Sequence, residues 1–297
     1  MYPKRPAFAL GGTLEPVYKL YKEHNPLDDT FDEKARAIYQ WLLGHRTQNG
    51  NYFNCGYSWP VGATTDAGFS CDLTDVGRGL IAYYQIFKDE QALEHAVGLA
   101  QYFLNEANPG TYDGLWSESN GTFLIGPTPG AGFENVKVDA NQASWVWSSY
   151  YGAHWLARLY DCTSDDSLKD RIRDRCVRSL RWNLDCCQFD DGAIGMSARD
   201  DKWLGSTAMT ILQYLELHRR NMLDTAFHRE YLPRALKALS WLEKMSQPGN
   251  FPPDGYIPVH MQSFPDPGCN TIWLMALTVE GLLSGPALRS LCTLELE

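Results

Sequence analysis

The chain has 297 residues, of which 44% are hydrophobic and 21% charged, so it holds enough apolar side chains for a large core. Its formal net charge of −10 argues against a nucleic-acid partner, because proteins that bind a duplex usually carry a basic face. No apolar run is long enough to cross a bilayer, and we expect no membrane span.

Amphipathic and strongly apolar helices are predicted to alternate along the chain. The first amphipathic helix is predicted over 31–46, where Ala35, Tyr39 and Leu42 recur at helical spacing among charged residues. The other predicted amphipathic helices span 90–106, 166–185 and 226–245, and the predicted apolar helices span 74–88, 141–160, 204–219 and 269–284. The segment 13–24 and the tail after Gly285 are candidates for further helices.

Two landmarks recur along the chain with nearly the same period. Turn glycines stand at Gly50, Gly114, Gly192 and Gly255, with spacings of 64, 78 and 63 residues. Polar residues stand at the predicted starts of the apolar helices, at Asp75, Gln142, Ser206 and Thr271, with spacings of 67, 64 and 65 residues. The agreement indicates an internal repeat. Short polar residues at these starts also suit helix N-caps.

The repeat predicts the architecture. An outer amphipathic helix paired with a buried inner helix, repeated around a ring, is an all-α fold called an α/α toroid. We predict a single domain over 1–297 with about four helical hairpins, in which the loops before the inner helices converge at one end. Ser144, Ser148 and Gly152 form a stripe of small residues on the second inner helix, and this stripe predicts close approach of a neighbouring helix.

One part of the repeat resembles the Gln-Trp repeat of the terpenoid cyclase and prenyltransferase toroids. The similar residues are Trp41-Leu42-Leu43, Gln48 and Gly50, with a looser match at Trp241-Leu242, Gln247 and Asp254-Gly255. Tyr52 and Tyr256 stand where that repeat has its final Trp, and the cyclase Asp-x-Asp-Asp motif does not occur. This resemblance implies a toroidal architecture.

A second resemblance is to toroidal glycan hydrolases and lyases such as the unsaturated glucuronyl and unsaturated rhamnogalacturonyl hydrolases. Its residues are Asp113-Gly114-Leu115-Trp116 followed by Ser144-Trp145-Val146-Trp147 and Tyr150-Tyr151-Gly152, which are similar to a loop and the following inner helix of those enzymes. The resemblance implies the same fold and an activity on carbohydrates.

Carboxylates and a histidine are the candidate catalytic groups, since glycosidic hydrolysis generally needs two carboxyl groups in different environments. Asp75 is predicted at the start of an inner helix, with Arg78 one turn later to pair with it or with a substrate carboxylate. Asp139 precedes the second inner helix, and His260 lies in the loop before the last one. The alternative is that Asp75 and Asp139 only cap helices.

Aromatic residues mapped to the same end are candidates for substrate binding, because rings stack on the apolar faces of sugars. They are Trp116, Trp145, Trp147 and Tyr256, and His154 joins them from the second inner helix. Core packing is the alternative for the tryptophans, and a buried hydrogen-bonded role is the alternative for His154.

Three functions remain open from the sequence. They are a glycan hydrolase or lyase acting on an oligosaccharide or another small molecule, a terpenoid cyclase or isomerase with an apolar cavity, and a non-catalytic helical scaffold. No cofactor and no metal site are predicted, because the eight cysteines include no C-x-x-C pair. The N-terminus is a poor signal peptide, so we expect a cytoplasmic protein. The oligomeric state is not predicted.

Overall fold

The computed structural model describes residues 15–44, 56–58, 63–65, 70–107, 114–125, 144–198, 202–247 and 279–294. The helices are α1 (Glu15–His24), α2 (Thr30–Leu43), α3 (Ser70–Phe87), α4 (Glu90–Leu104), α5 (Val146–Cys162), α6 (Asp166–Cys186), α7 (Leu204–Arg219), α8 (Thr225–Met245) and α9 (Gly285–Leu294). Three antiparallel hairpins pair β1 (Gly56–Ser58) with β2 (Ala63–Thr65), β3 (Trp116–Ser117) with β4 (Thr122–Phe123), and β5 (Ile194–Gly195) with β6 (Lys202–Trp203).

The predicted order of helices is confirmed. The outer helices are α2, α4, α6 and α8, and the inner helices are α3, α5 and α7. Helices α1 and α9 occupy the two segments predicted to add helices. Most of the last predicted inner helix, 269–284, lies outside the described residues, although 279–283 is helical. None of the helices in the described ranges is both long and apolar enough to cross a membrane.

Successive inner helices pack side by side and run parallel. Helix α3 packs on α5 and α5 packs on α7, while each outer helix packs against its inner partner. Residues at the same level along α3 and α5 are in contact, with Gly77 against Trp155 near the middle of the helices and Gln85 against Cys162 near their ends. Short connections join inner to outer helices at one end, and the longer loops with their β-hairpins lie at the other. This is the arrangement of an α/α toroid.

The third inner helix has its predicted bounds of 204–219, whereas α3 and α5 begin at different residues from those predicted. Helix α3 begins at Ser70, and α5 and α7 follow directly after Trp145 and Trp203. Asp75 and Ser206 therefore lie inside their helices and do not cap them, while Gln142 lies outside the described residues.

Backbone groups of neighbouring loops satisfy the inner-helix starts instead. The backbone N–H of Ser70 donates to the carbonyl of Ile125 at 2.8 Å, and the N–H of Val146 donates to the carbonyl of Met196 at 2.8 Å. In both cases the acceptor belongs to the loop that precedes the next inner helix. The first N–H groups of a helix have no acceptor within it, so each loop completes the helix before it.

Two of the repeated glycines have a steric reason. A Cβ at Gly114 would stand 2.2 Å from the carbonyl oxygen of Asn105, and a Cβ at Gly192 would stand 2.4 Å from that of Lys237. Gly192 also has φ +102°, a conformation that L side chains rarely adopt. Gly50 and Gly255 lie outside the described residues.

The small-residue stripe of α5 receives a β-hairpin, not the helix that was predicted. A Cβ at Gly152 would stand 2.8 Å from the ring of Phe123 in β4, and the Nδ2 of Asn120 donates to the Oγ of Ser144 at 2.9 Å. The β3–β4 turn is thereby held against α5. Periodicity located the close contact correctly, but it could not identify the partner.

A buried polar network joins α5, α6 and α7 inside the core. The Oε1 of Gln213 accepts from the Oγ of Ser149 at 3.3 Å and from the Nδ2 of Asn183 at 3.0 Å. Its Nε2 donates to the Oγ of Ser179 at 3.0 Å. All four side chains are almost completely buried, so these hydrogen bonds are costly to lose and fix the register of the three helices.

The contact between α3 and α5 generates a stability prediction. A Cβ at Gly77 would stand 2.5 Å from the Trp155 ring, and Trp155 is fully buried. Gly77→Ala should lower the free energy of unfolding by about 1–3 kcal/mol, because overpacking displaces the ring. Urea denaturation measures the change. Gly44→Ala is the control, since a Cβ there meets its nearest atom at 3.4 Å. Equal stability of both variants would contradict the close packing.

Candidate active site

Three tryptophans line the starts of two inner helices. Trp145 immediately precedes α5, Trp147 lies in its first turn, and Trp203 immediately precedes α7. The ring centroids of Trp145 and Trp147 are 6.5 Å apart, and those of Trp147 and Trp203 are 5.7 Å apart, both edge to face. Trp145 and Trp147 are partly exposed, and Trp203 is buried. The three indoles form one aromatic surface at the loop end of the inner helices.

A second aromatic group follows one turn deeper on α5. The rings of Tyr150 and Tyr151 are 5.3 Å apart, and the rings of Tyr150 and His154 are 5.6 Å apart. Tyr150 and His154 are four residues apart, so they lie on one face of the helix. Tyr150 is buried, whereas Tyr151 and His154 are partly exposed.

The environment keeps both Tyr150 and His154 uncharged. Burial raises the pKa of Tyr150, and the charge of Glu280 adds to the shift while that of Arg78 opposes it. Burial also lowers the pKa of His154 to about 3, and the positive charges of Arg78 and Arg158 add to the effect. At neutral pH, Tyr150 therefore keeps its hydroxyl proton, and the imidazole offers one donor and one acceptor.

Arg78 supplies positive charge from the neighbouring helix α3. Its guanidinium influences both Tyr150 and His154, which lie on α5. In the part of the chain that the structure describes, the Nε of Arg78 is buried and has no hydrogen-bond partner. A buried donor left unpaired is costly, and an oxygen atom of a ligand would satisfy it. Arg78 is therefore a candidate for ligand binding.

Asp75 lies in the second turn of α3, three residues before Arg78. Its side chain is among the few buried acidic groups, with 7% exposure. Because α3 and α5 are parallel and packed together, Asp75 and Arg78 stand in the same half of the toroid as Trp145, Trp147 and His154. The structure therefore brings these five predicted residues to the loop half of two adjacent inner helices.

Trp116 does not belong to this group, although it was predicted to bind substrate. Its ring is fully buried, packs edge to face on Phe123 at 5.1 Å, and lies beneath the guanidinium of Arg175 at 4.5 Å. Its Nε1 donates to Glu118 at 2.8 Å, and Glu118 also pairs with Arg178. These contacts attach the β3–β4 hairpin to α6 and leave no surface for a sugar.

Three predicted residues lie outside the described residues, namely Asp139, His260 and Tyr256. The sequence already mapped Trp203 to this end of the toroid, but it did not assign Tyr150 to the site. The signal for Tyr150 was its spacing of four residues from His154, which places both on one face of a helix. Trp203 ends a β-strand directly before α7, and its closeness to Trp147 depends on how α5 and α7 pack.

Comparisons with known proteins find similarity in structure. No protein-family model matches the chain, and no curated protein matches it.

Several solved structures are similar over most of the chain. An unsaturated glucuronyl hydrolase from Bacillus sp. GL1, responsible for the degradation of glycosaminoglycan, has a TM-score of 0.62 and 13% identity and covers 95% of this chain and 74% of its own. A glycosyl hydrolase of family 88 from Bacteroides vulgatus has a TM-score of 0.61 and 14% identity, and a polysaccharide lyase has 0.61 and 16%. Each of these two covers 93% of this chain and 72% of its own.

These similarities establish the fold class. The protein has the α/α-toroid fold that the sequence predicted, and the similar structures are toroids that act on glycans. One fold hosts many activities, so the function has to be argued from the site.

The pKa of His154 generates a prediction about pH. Folding lowers this pKa from the ordinary 6.5 to about 3, so between these values the unfolded chain binds more protons than the folded one. The stability from the neutral imidazole is complete above pH 6.5 and is lost as the pH falls toward about 3. Urea denaturation at several pH values should show a smaller loss in His154→Gln than in the parent protein.

The exposed His24 provides the control for this titration. His24→Gln should keep the pH dependence of the parent protein. The assignment is wrong if His154→Gln and His24→Gln have the same dependence of unfolding free energy on pH.

Proposed function

We propose that the protein is a carbohydrate-active enzyme of the hydrolase or lyase type, whose substrate binds at the loop end of the inner helices. The observation that carries the proposal is the aromatic surface of Trp145, Trp147 and Trp203, in the same half of the toroid as the buried carboxyl group of Asp75. Indole rings accept the apolar faces of sugars, and a carboxyl group shielded from water is suited to proton transfer.

Asp75 is proposed as a catalytic acid or base. Glycoside hydrolysis usually depends on two carboxyl groups whose surroundings give them different pKa values. Asp75 occupies a nearly dry position on a rigid helix, which would hold its carboxyl group in a constant orientation. Asp139 and His260 are proposed as the further catalytic groups, because both precede inner helices in the sequence and Tyr256 lies close to His260 along the chain.

The remaining residues are proposed to bind and orient the substrate. The unsatisfied Nε of Arg78 would donate to a carboxylate or hydroxyl oxygen of the substrate. His154 would contribute as a neutral imidazole, since its pKa is far below neutrality. A positive guanidinium beside uncharged aromatic groups suits a polar, uncharged or acidic sugar better than an isoprenoid chain.

The comparisons support this proposal by analogy. The similar structures are named for activities on glycosaminoglycan or polysaccharide, and they extend over more than nine-tenths of this chain. The low identity of 13–16% in these two pairs means that residue roles are not transferred.

The first test is the substitution of Asp75. Purified protein is assayed against a panel of neutral and uronic-acid oligosaccharides, with product detected by mass spectrometry. Asp75→Asn should reduce kcat about 100-fold to 10,000-fold, because it removes a proton-transfer group, while circular dichroism stays unchanged. Asp170→Asn, on the exposed face of α6, is the matched control. Full activity of Asp75→Asn would exclude Asp75 from the mechanism.

A second test separates substrate binding from chemistry. Trp145→Ala should raise KM for the best oligosaccharide by about 10-fold to 100-fold, with a smaller effect on kcat, because burying a large apolar side chain against a ligand contributes about 1.5–3 kcal/mol. Trp145→Tyr retains a ring and should restore most of the affinity. If the two variants have the same KM as the parent protein, Trp145 is not part of the sugar site.

A further inference from the structure

A pair of histidines lies at the end of the toroid opposite the candidate active site. His218 is in the last turn of α7, and His228 is in the first turns of α8. The connection 220–224 joins these helices. His218 is fifteen positions after Trp203 in the sequence, so along α7 the pair is about 20 Å from the tryptophan surface.

The two imidazoles share a hydrogen bond through specific nitrogens, and a metal would take the place of its proton. The Nδ1 of His218 is 3.2 Å from the Nε2 of His228, and the ring centroids are 5.0 Å apart with the planes at 75°. Two nitrogens bound to one tetrahedral zinc ion, each at 2.0–2.1 Å, stand about 3.3 Å apart. The observed separation is therefore close to the one that chelation requires.

A third side chain orients one of the rings. The hydroxyl of Tyr214, which is fully buried, is 2.7 Å from the Nδ1 of His228. When the Nδ1 of a histidine is engaged in this way, its Nε2 is the nitrogen available to a metal, and such outer partners fix both tautomer and ring orientation. Tyr214 thus has the role of an orienting residue, and the Nε2 of His228 is directed toward His218.

Both histidines are also accessible. Each is partly exposed, so an ion and its water ligands can reach them. Two arginines follow His218 directly, and Glu216 lies 2.9 Å from the guanidinium of Arg220 and 3.9 Å from that of Arg219, so its carboxylate offsets part of their repulsion toward a cation.

We propose that His218 and His228 form a two-histidine binding site for a transition-metal dication of the zinc or copper type, oriented by Tyr214. Binding needs no net release of protons from neutral imidazoles. The proton of His228 moves to Nδ1 and is donated to the oxygen of Tyr214, while Nε2 of His228 and Nδ1 of His218 bind the metal. Within the described ranges no third His, Cys, Asp or Glu joins this pair in a cluster, so water fills the remaining positions.

The chemistry of the ligands determines the metal class. Imidazole nitrogens suit zinc, copper and nickel, whereas magnesium and calcium prefer oxygen ligands. A metal at this position would connect the end of α7 to the start of α8 across a short connection. It would therefore stabilise the hairpin without entering the candidate active site, and the proposal does not depend on the carbohydrate activity.

Calorimetric titration of the full chain with Zn²⁺ is the first experiment. The parent protein should bind in a saturable manner, and His218→Gln should weaken binding at the histidine site more than about tenfold. Tyr214→Phe keeps both ligands and should weaken binding about 10-fold to 100-fold. His24→Gln, at an exposed histidine, should bind as the parent does. Unchanged zinc binding in His218→Gln would overturn the proposal.

Electron paramagnetic resonance of bound Cu²⁺ tests the ligands in the parent protein itself. One equivalent of Cu²⁺ added to the parent protein should show hyperfine structure from two imidazole nitrogens. The signal should change to one nitrogen in His228→Gln if that variant is folded. A spectrum of the parent protein with no coordinating nitrogen would overturn the proposal, as would the absence of saturable binding.

Discussion

The hydrogen bonds that satisfy the inner-helix starts determine how the rest of the structure is arranged. The carbonyls of Ile125 and Met196 accept from the first N–H groups of α3 and α5. In both cases the described part of a loop reaches the inner helix of the preceding repeat, which places Ile125 and Met196 at the same end of the toroid. Trp145 and Trp203 occupy the N-cap positions of α5 and α7 and make no capping hydrogen bond with their side chains. Their indoles therefore lie at this end of the toroid.

The core polar network has a related consequence for the aromatic surface. Gln213 joins Ser149 of α5 to Ser179 and Asn183 of α6. A shift of α7 along its axis would break these buried hydrogen bonds, and each unsatisfied group would be costly. The register of α5 and α7 is therefore fixed deep in the core. That register is what keeps Trp147 and Trp203 at 5.7 Å.

The order and type of the helices could be predicted from the sequence because burial imposes a period of 3.6 residues on an amphipathic helix. The starts of α3 and α5 could not, because their acceptors come from loops far away in the chain, such as Ile125 for Ser70. In the sequence Asp75 and Ser206 also suited helix N-caps, whereas in the structure both lie inside their helices. The same reasoning explains the small-residue stripe, where spacing predicts a close contact at Gly152 but not that Phe123 makes it.

The candidate site shows the same division between local and distant information. Trp116 and Trp145 were given the same role, because both are tryptophans next to predicted loops. They differ in exposure. The guanidinium of Arg175 covers the buried ring of Trp116 and leaves no room for a ligand, whereas Trp145 is partly exposed. Asp75 and Arg78 were paired by their spacing on one helix, whereas the influence of Arg78 on His154 crosses from α3 to α5. A residue's type and periodicity thus locate it on an element, and only the packing of that element against the next determines whether it meets solvent, substrate or core.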